Sequence, residues 1–560
     1  MRSIHIFNYI FLFLLISLFS SCGEKPDVIY TNGKIYTMNS GNGVSEAMAI
    51  KEGKILDIGT SAEIGDKYSS EDVIDLNGAT VLPGFTDSDG SIIELSKNLN
   101  FINLSYAKSV EEIKNLVIEK TKTTAEGEWI GGYGWNELLI PESELEMISK
   151  ETLDQIAPNY NVYLVNAALN TVWVNSRLLR YIKVDKTTQS PKNGEIEKDA
   201  DGEPTGLLFD EAVNLVKDNV PGLLKNEMLT QVEKGLNEIA KYGITEVHDR
   251  TIGKEGLEIF TELIDTKKFP IKVYAVLSGE DSALTDSYLN KGPLVNYGDR
   301  LTIRAITLDY DGLFELQDAV MNDEYKEEPK KKIPYVTEED IERIYSRAIE
   351  KNFQFSIKAV GDKATSTSLN IIEKVMKQKN PKDARTIIEY CEFISPKDLS
   401  KISELKIIPS VRPDVCMYDI QILSQVIAPE NAMKLGLWNS LLKSSGMIVT
   451  GSDFPFHQIN PFVQLYFLTT RQLTDTVLSS IPNPDQKISL ADAVRSYTVW
   501  PAYASFQETT KGSLEKGKYA DFIVISKDIF NTDSKELLNT KVLKTIINGR
   551  IIYDSSKSRK

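Results

Sequence analysis

Histidine is almost absent from this chain of 560 residues, which carries three, at positions 5, 248 and 457. A metal centre built from several imidazoles is excluded by supply alone, because each such ligand needs its own ring nitrogen. Cysteine is equally scarce at three residues, which removes disulfide scaffolds and four-thiolate zinc sites from consideration. One long apolar run stands at the start and none follows, so no later segment reads as a membrane-spanning helix. Basic residues are outnumbered, 64 Lys and Arg against 80 Asp and Glu, for a formal charge of −16. That balance argues against nucleic acid or anionic lipid as partners through a basic face. Repeats and low-complexity tracts are missing as well, which leaves no basis for a fibrous or adhesive envelope component.

What is present begins with an export signal. Arg2 gives a positive start, Ile6 to Phe19 is nearly unbroken apolar sequence, and Ser20-Ser21-Cys22 closes it. The run is short for a bilayer span, and residues 1–21 read as a lipoprotein signal peptide. Cys22 resembles the acylated first residue of a bacterial lipoprotein, with Phe19 where Leu is commoner. The expectation is an exported chain tied to the cell envelope through a lipid on Cys22, with no other contact with the membrane. Cys391 and Cys416 are the remaining thiols, and two free buried cysteines are expected rather than a bridge.

Both ends of the mature chain alternate short β-rich runs with turns. Asn32-Gly33 and Glu52-Gly53 separate such runs near the start, and Asn548-Gly549 does so near the end. Residues 22–80 and 505–560 are therefore expected to form one small β-sandwich domain built from both termini. Between them, strand-like runs alternate with helical sequence. The candidates are Val81 to Ser88, Ile244 to His248, Ile271 to Leu277, Ile303 to Asp309, Phe353 to Ala359, Thr386 to Tyr390, Ile407 to Val411 and Met447 to Ser452. Eight β/α units over residues 81–504 predict an α/β fold, a (β/α)8 TIM-type barrel, with an insertion at about residues 97–241.

Several motifs in order along this frame resemble the metal-dependent amidohydrolases, in the branch with D-aminoacylases and N-substituted formamide deformylases. They are Val81-Leu-Pro-Gly-Phe-Thr-Asp87, Gly243-Ile-Thr-Glu-Val-His-Asp249, Asp311-Gly312, Ala359-Val-Gly-Asp-Lys-Ala364 and Gly451-Ser-Asp-Phe-Pro455. Tyr497-Thr-Val-Trp-Pro-Ala502 and Gly512-Ser-Leu-Glu-Lys-Gly-Lys-Tyr-Ala-Asp521 complete the set. The resemblance covers nearly the whole mature chain. It implies hydrolysis of carbon–nitrogen bonds other than peptide bonds, through one or two divalent metals, typically zinc, at the barrel mouth.

Matched position by position, the resemblance leaves few ligands in place. The His-x-His of the first strand stands as Asp89-Gly90-Ser91, and the bridging lysine of the fourth as Thr307. The histidines ending the fifth and sixth strands stand as Lys358 and Tyr390, while the aspartate of the eighth remains as Asp453. Asn170 replaces a substrate-contacting histidine. No metal cofactor is therefore expected, and the chain reads as a catalytically degenerate relative that binds a small molecule. The alternative is a working hydrolase of N-acyl or formamide substrates with an unconventional site. Lys358 is expected to replace the metal's charge by pairing with Asp453 or Asp89. Lys358, Tyr390 and Asp453 are the candidate catalytic groups, and Asp87, Asp89, Ser91, Asn170, Thr307, His457 and Trp135 the candidate pocket.

Overall fold

The eight runs read as barrel strands become eight parallel strands in chain order in the computed structural model, which describes residues 24–222, 224–314, 316–326, 333–473 and 482–557. They are β1 (Phe85–Gly90), β2 (Ile244–Ile252), β3 (Lys272–Ser278), β4 (Leu301–Asp309), β5 (Gln354–Lys358), β6 (Ile387–Glu389), β7 (Ile408–Val411) and β8 (Val449–Thr450). Each pairs with the next, and an isolated parallel bridge between Gly90 and Phe454 joins the last to the first. Asp453 N–H donates to the Asp89 carbonyl at 2.9 Å and Ser91 N–H to the Phe454 carbonyl at 3.0 Å, which closes the ring. Strands in such a barrel are covered on both faces, which is why they read as apolar runs rather than alternating ones.

A helix laid against the strands buries one apolar stripe. In α3 (Glu338–Glu350) the stripe is Ile341, Ile344, Tyr345 and Ala348, spaced for one helical face, and Thr337 caps its start. Two boundaries differ from the sequence reading. Val81 to Ser88 is two strands: Thr80–Pro83 pairs with Phe522–Ile525 of the C-terminal segment, and only Phe85–Gly90 enters the barrel. Gly84 lies between them, and a Cβ there would come within 2.3 Å of the Thr245 side chain. The helix α2 (Lys225–Lys241) is likewise the approach to β2 and packs on α1 (Ile92–Asn98), so the inserted segment lies between these two helices.

That insertion has its own six-stranded sheet, with Trp129–Trp135, Asn161–Asn166 and Thr171–Val174 among its strands. Alternation along Thr171–Val174 sends Trp173 into one apolar cluster and Val172 and Val174 into another, on opposite faces.

The chain divides into two compact units. One is the chain up to Phe85 with Gly243–Thr245 and Thr498–Lys560, and the other is Thr86–Tyr242 with Glu246–Tyr497. The first contains a four-stranded sheet and a six-stranded sheet, the latter mixing strands from both chain ends. Tyr30, Met48, Ile50, Val81, Phe522 and Ile546 share its core. Cys22 lies outside the described residues. Cys391 and Cys416 are buried and unbridged, as expected.

Candidate functional site

Parallel strands end together at one rim of a barrel, so side chains at those ends face a common space. Here the centre of that space is filled by an arginine. Arg412 follows β7 immediately, is fully buried, and is the first side chain past an apolar strand. Its Nε donates to Asp89 at 2.7 Å, its Nη2 lies 2.6 Å from Glu389 and 2.5 Å from Asp89, and its Nη1 donates to Ser410 Oγ at 2.8 Å. The guanidinium also lies over the Tyr390 ring, 4.3 Å from its centre. Burial works against its charge, but Asp89, Glu389 and Tyr390 overcome that and hold it protonated well above the usual range.

A second arginine repeats the arrangement. Arg250, in β2, donates through Nη2 to Asp309 at 2.7 Å and to Thr307 at 3.4 Å, and its Nη1 lies 3.9 Å from Asp89. Burial alone would raise Asp309, yet Arg250 and Lys358 hold it below the usual carboxylate range. Deeper in the barrel, Asp87 accepts from Ser452 N at 3.0 Å, Ser452 Oγ at 2.6 Å and Asp89 N at 3.1 Å. Burial still pushes its pKa up to about 7. His248 is packed beside Tyr274, its Nε2 buried without a partner, and burial lowers its pKa to about 3, so it stays neutral.

Above this charged layer is a cavity of about 180 Å³, lined among others by Lys358, Tyr390, Asp453, His457, Tyr133 and Tyr418. Its roof is the inserted segment. Tyr133 donates its hydroxyl to the Pro455 carbonyl at 3.1 Å and Ser105 Oγ donates to the Phe456 carbonyl at 3.0 Å. Three lining residues sit in the left-handed region without being glycine, Leu169 at φ +57°, Tyr390 at φ +55° and Asp453 at φ +59°. Backbone held there by its surroundings is commonest at functional sites. The Asp453 carboxyl is raised, first by burial and then by Asp89, against the Tyr390 hydroxyl and His457.

The structure thus brings Lys358, Tyr390, Asp453 and His457 to one cavity, with Asp87, Asp89 and Thr307 buried beneath it. Three other candidates stand elsewhere. Ser91 caps α1, accepting from Glu94 N at 3.4 Å. Asn170 bonds within its own turn, accepting from Asn166 at 2.9 Å, and Asn166 is the residue that lines the cavity. Trp135 is core: its Nε1 donates to the Leu164 carbonyl at 2.9 Å and its ring packs edge-on against Trp173. The strand register shifts between Tyr133 and Trp135, which breaks the alternation there, and Tyr133 and Gly134 form the wall instead.

The expected pairing of Lys358 with Asp453 or Asp89 is not formed. Lys358 lies over the Tyr390 ring, 4.8 Å from its centre, and no carboxylate among the described residues is within ion-pair distance of it. Arg412 reaches Asp89 first because its longer, forked side chain enters from β7, on the side of the mouth where Asp89 and Glu389 both point. Sequence reasoning missed both arginines. Each stands at or just past the C-terminal end of an apolar barrel strand, where a long cation has nowhere to go but the mouth.

The fit of a divalent ion follows from these contacts. A metal needs several lone pairs converging at bonding distance. The lone pairs of Asp89 and Glu389 are directed at a guanidinium, whose fixed charge repels a second cation. No group of three or more His, Cys, Asp or Glu among the described residues is arranged to hold a metal. The donor set does not fit one.

Comparison with known proteins covers nearly the full length. A family model described as "Amidohydrolase family" matches residues 72–553. The chain is 28% identical to "Protein LONG AFTER FAR-RED 3" of Arabidopsis thaliana, over 96% of this chain and 93% of that one. It is 23% identical to the N-substituted formamide deformylase of Arthrobacter pascens, over 96% and 100%. Among solved structures, an uncharacterized metal-dependent hydrolase from Pyrococcus horikoshii OT3 superposes with a TM-score of 0.72 at 21% identity, over 91% of this chain and 99% of that one.

Proposed function

The chain belongs to the amidohydrolase family, and from that premise we propose that it is a metal-independent member, a catalytically degenerate one that binds a small molecule at the barrel mouth. The observation that carries this reading is the Arg412 guanidinium bridging Asp89 and Glu389. It balances the carboxylates that a metal would otherwise neutralise, and it leaves no open coordination position from which hydroxide could attack. The cavity above it keeps the features of a ligand site: enclosure, aromatic walls, and a few convergent polar groups.

The test has two parts. Metal analysis of the purified full-length protein is expected to find no stoichiometric divalent ion, and chelation is expected to leave its unfolding temperature unchanged. A tightly held ion at one equivalent, with hydrolysis of N-acyl amino acids or formamides that chelation abolishes, defeats the reading.

A second reading, hydrolysis of carbon–nitrogen bonds, is favoured by one feature of the cavity. His457 Nδ1 lies 3.7 Å from Asp414 Oδ2 in the loop that follows Asp453. An imidazole near one carboxylate and lining the same cavity as a second carboxyl could serve acid–base chemistry, and one relative is named as a formamide deformylase. Turnover of a formamide by chelated protein, lost in His457→Gln, supports this second reading over the first.

The chain is also proposed to be exported and held at the bacterial cell envelope by a lipid on Cys22. The support is the positive start at Arg2, the apolar run and the small residues before the cysteine.

A further inference from the structure

The charges at the mouth are matched among themselves. Arg412 sits against Asp89 and Glu389, and Arg250 against Asp309. Lys358 stands in register between Asp309 and Glu389 and acts electrostatically on Asp309 and Asp311. Three cations thus stand among Asp89, Glu389 and Asp309. Lys358 and Asp453, of opposite sign, reach the cavity wall itself, where the Tyr390 hydroxyl bonds to Asp453. His457, on the same wall, has Asp414 at 3.7 Å. An entering cation meets Lys358, with Arg412 on the same Tyr390 ring. An entering anion meets Asp453, on which Asp89 already acts. Neither finds an unmatched partner to offset the water it gives up.

Resting on the reading of the mouth as a metal-independent ligand site, we propose that this cavity selects a small uncharged molecule, an apolar or single-ring body with one hydroxyl-like head, and rejects the matching acid and amine. The rest of the wall, with Tyr133, Leu169, Leu313, Tyr418 and Phe456, suits an apolar body. The Tyr133 hydroxyl gives its proton to the Pro455 carbonyl, so its oxygen is left to accept from the head of a ligand. The volume of about 180 Å³ limits the ligand to a few carbons or a single ring, since pockets for drug-sized ligands run to roughly 300 Å³ or more.

Isothermal titration of the chelated full-length protein with phenethyl alcohol, phenylacetate and phenethylamine tests this, since the three share one skeleton and differ in charge at neutral pH. The alcohol is expected to bind about ten- to a hundredfold more tightly than either ion, the range for leaving a buried polar group unmatched. The two wall charges should then be separable. Lys358→Met should admit the amine, which is left facing Asp453. Asp453→Asn should admit the acid, which is left facing Lys358, and asparagine tolerates the left-handed backbone there. Retained binding of the alcohol in both variants shows that the fold is kept. An acid or amine that binds wild type as tightly as the alcohol, no binding of any of the three, or a preference unchanged in both variants overturns the inference and leaves the metal-independent reading standing. Binding of the alcohol only after zinc is restored overturns both.

Discussion

Replacing Arg412 with methionine should be the most destabilising single change at the mouth. The side chain is fully buried, and its removal strands Asp89 and Glu389, each 3–4% exposed, without their counter-charge. Breaking a buried pair from one side costs about 3–5 kcal/mol. At an unfolding entropy of roughly 2 cal/mol/K per residue, a unit of about 400 residues converts that into a fall of roughly 4–6 °C in unfolding temperature. Thermal scans of wild type and Arg412→Met read the effect. Arg412→Lys should recover only part, because an ammonium cannot reach Asp89, Glu389 and Ser410 together. Adding Asp89→Asn to Arg412→Met should cost less than the sum of the single changes. Unaltered stability in Arg412→Met, or a double change that costs the full sum of the two single ones, would refute the charge-balance argument.

Further outcomes follow from neighbouring groups. Asp249, raised by burial to about 8, should oppose folding increasingly as pH rises above its unfolded value, so Asp249→Asn should stabilise the protein more at pH 8 than at pH 5 in urea titrations. His248, lowered by burial to about 3, does the reverse: stability is lost as pH falls through its unfolded value of about 6.5, and His248→Gln should flatten that limb. Both remaining thiols are buried and burial pushes them up, so Cys391 and Cys416 should react with Ellman's reagent only after unfolding; a fast native reaction contradicts their placement. In a bacterial host, a clickable fatty acid should label the protein, and Cys22→Ala should abolish both label and membrane sedimentation; unchanged labelling removes the anchor.

The fold was legible because its signals are local. Ile303 to Asp309 and Phe353 to Ala359 are apolar runs of strand length, and their register could be counted from the motifs that follow them. The division of Val81 to Ser88 was hidden because both halves are buried, and burial erases the alternation that marks a change of sheet. Trp135 was misplaced for a related reason: an aromatic strand shows which residues are apolar and not which face is core. At the site, the positions Lys358, Tyr390 and Asp453 could be located because each ends a strand. What Lys358 would pair with could not, because partner choice depends on reach. Arg412 comes from a strand 54 residues further along, and nothing near Lys358 in the chain announces it.

The two arginines also make the site resistant to piecemeal reversal. Asp89 is shared: Arg412 holds it at 2.5 Å and Arg250 approaches to 3.9 Å. An imidazole placed at Asp89 would leave Arg412 with Glu389 alone and Arg250 with Asp309 alone, and would add a ligand beside two positive charges. A divalent ion arriving there would meet two fixed cations in a low-dielectric space, where repulsion at a few ångströms outweighs what one imidazole contributes. Metal binding therefore requires the removal of Arg412 together with the gain of ligands, and each step taken alone leaves buried charge unpaired. The guanidinium and a metal are alternative solutions to one problem, the convergence of acids at the end of a parallel barrel, and the mouth of this barrel has room for only one of them.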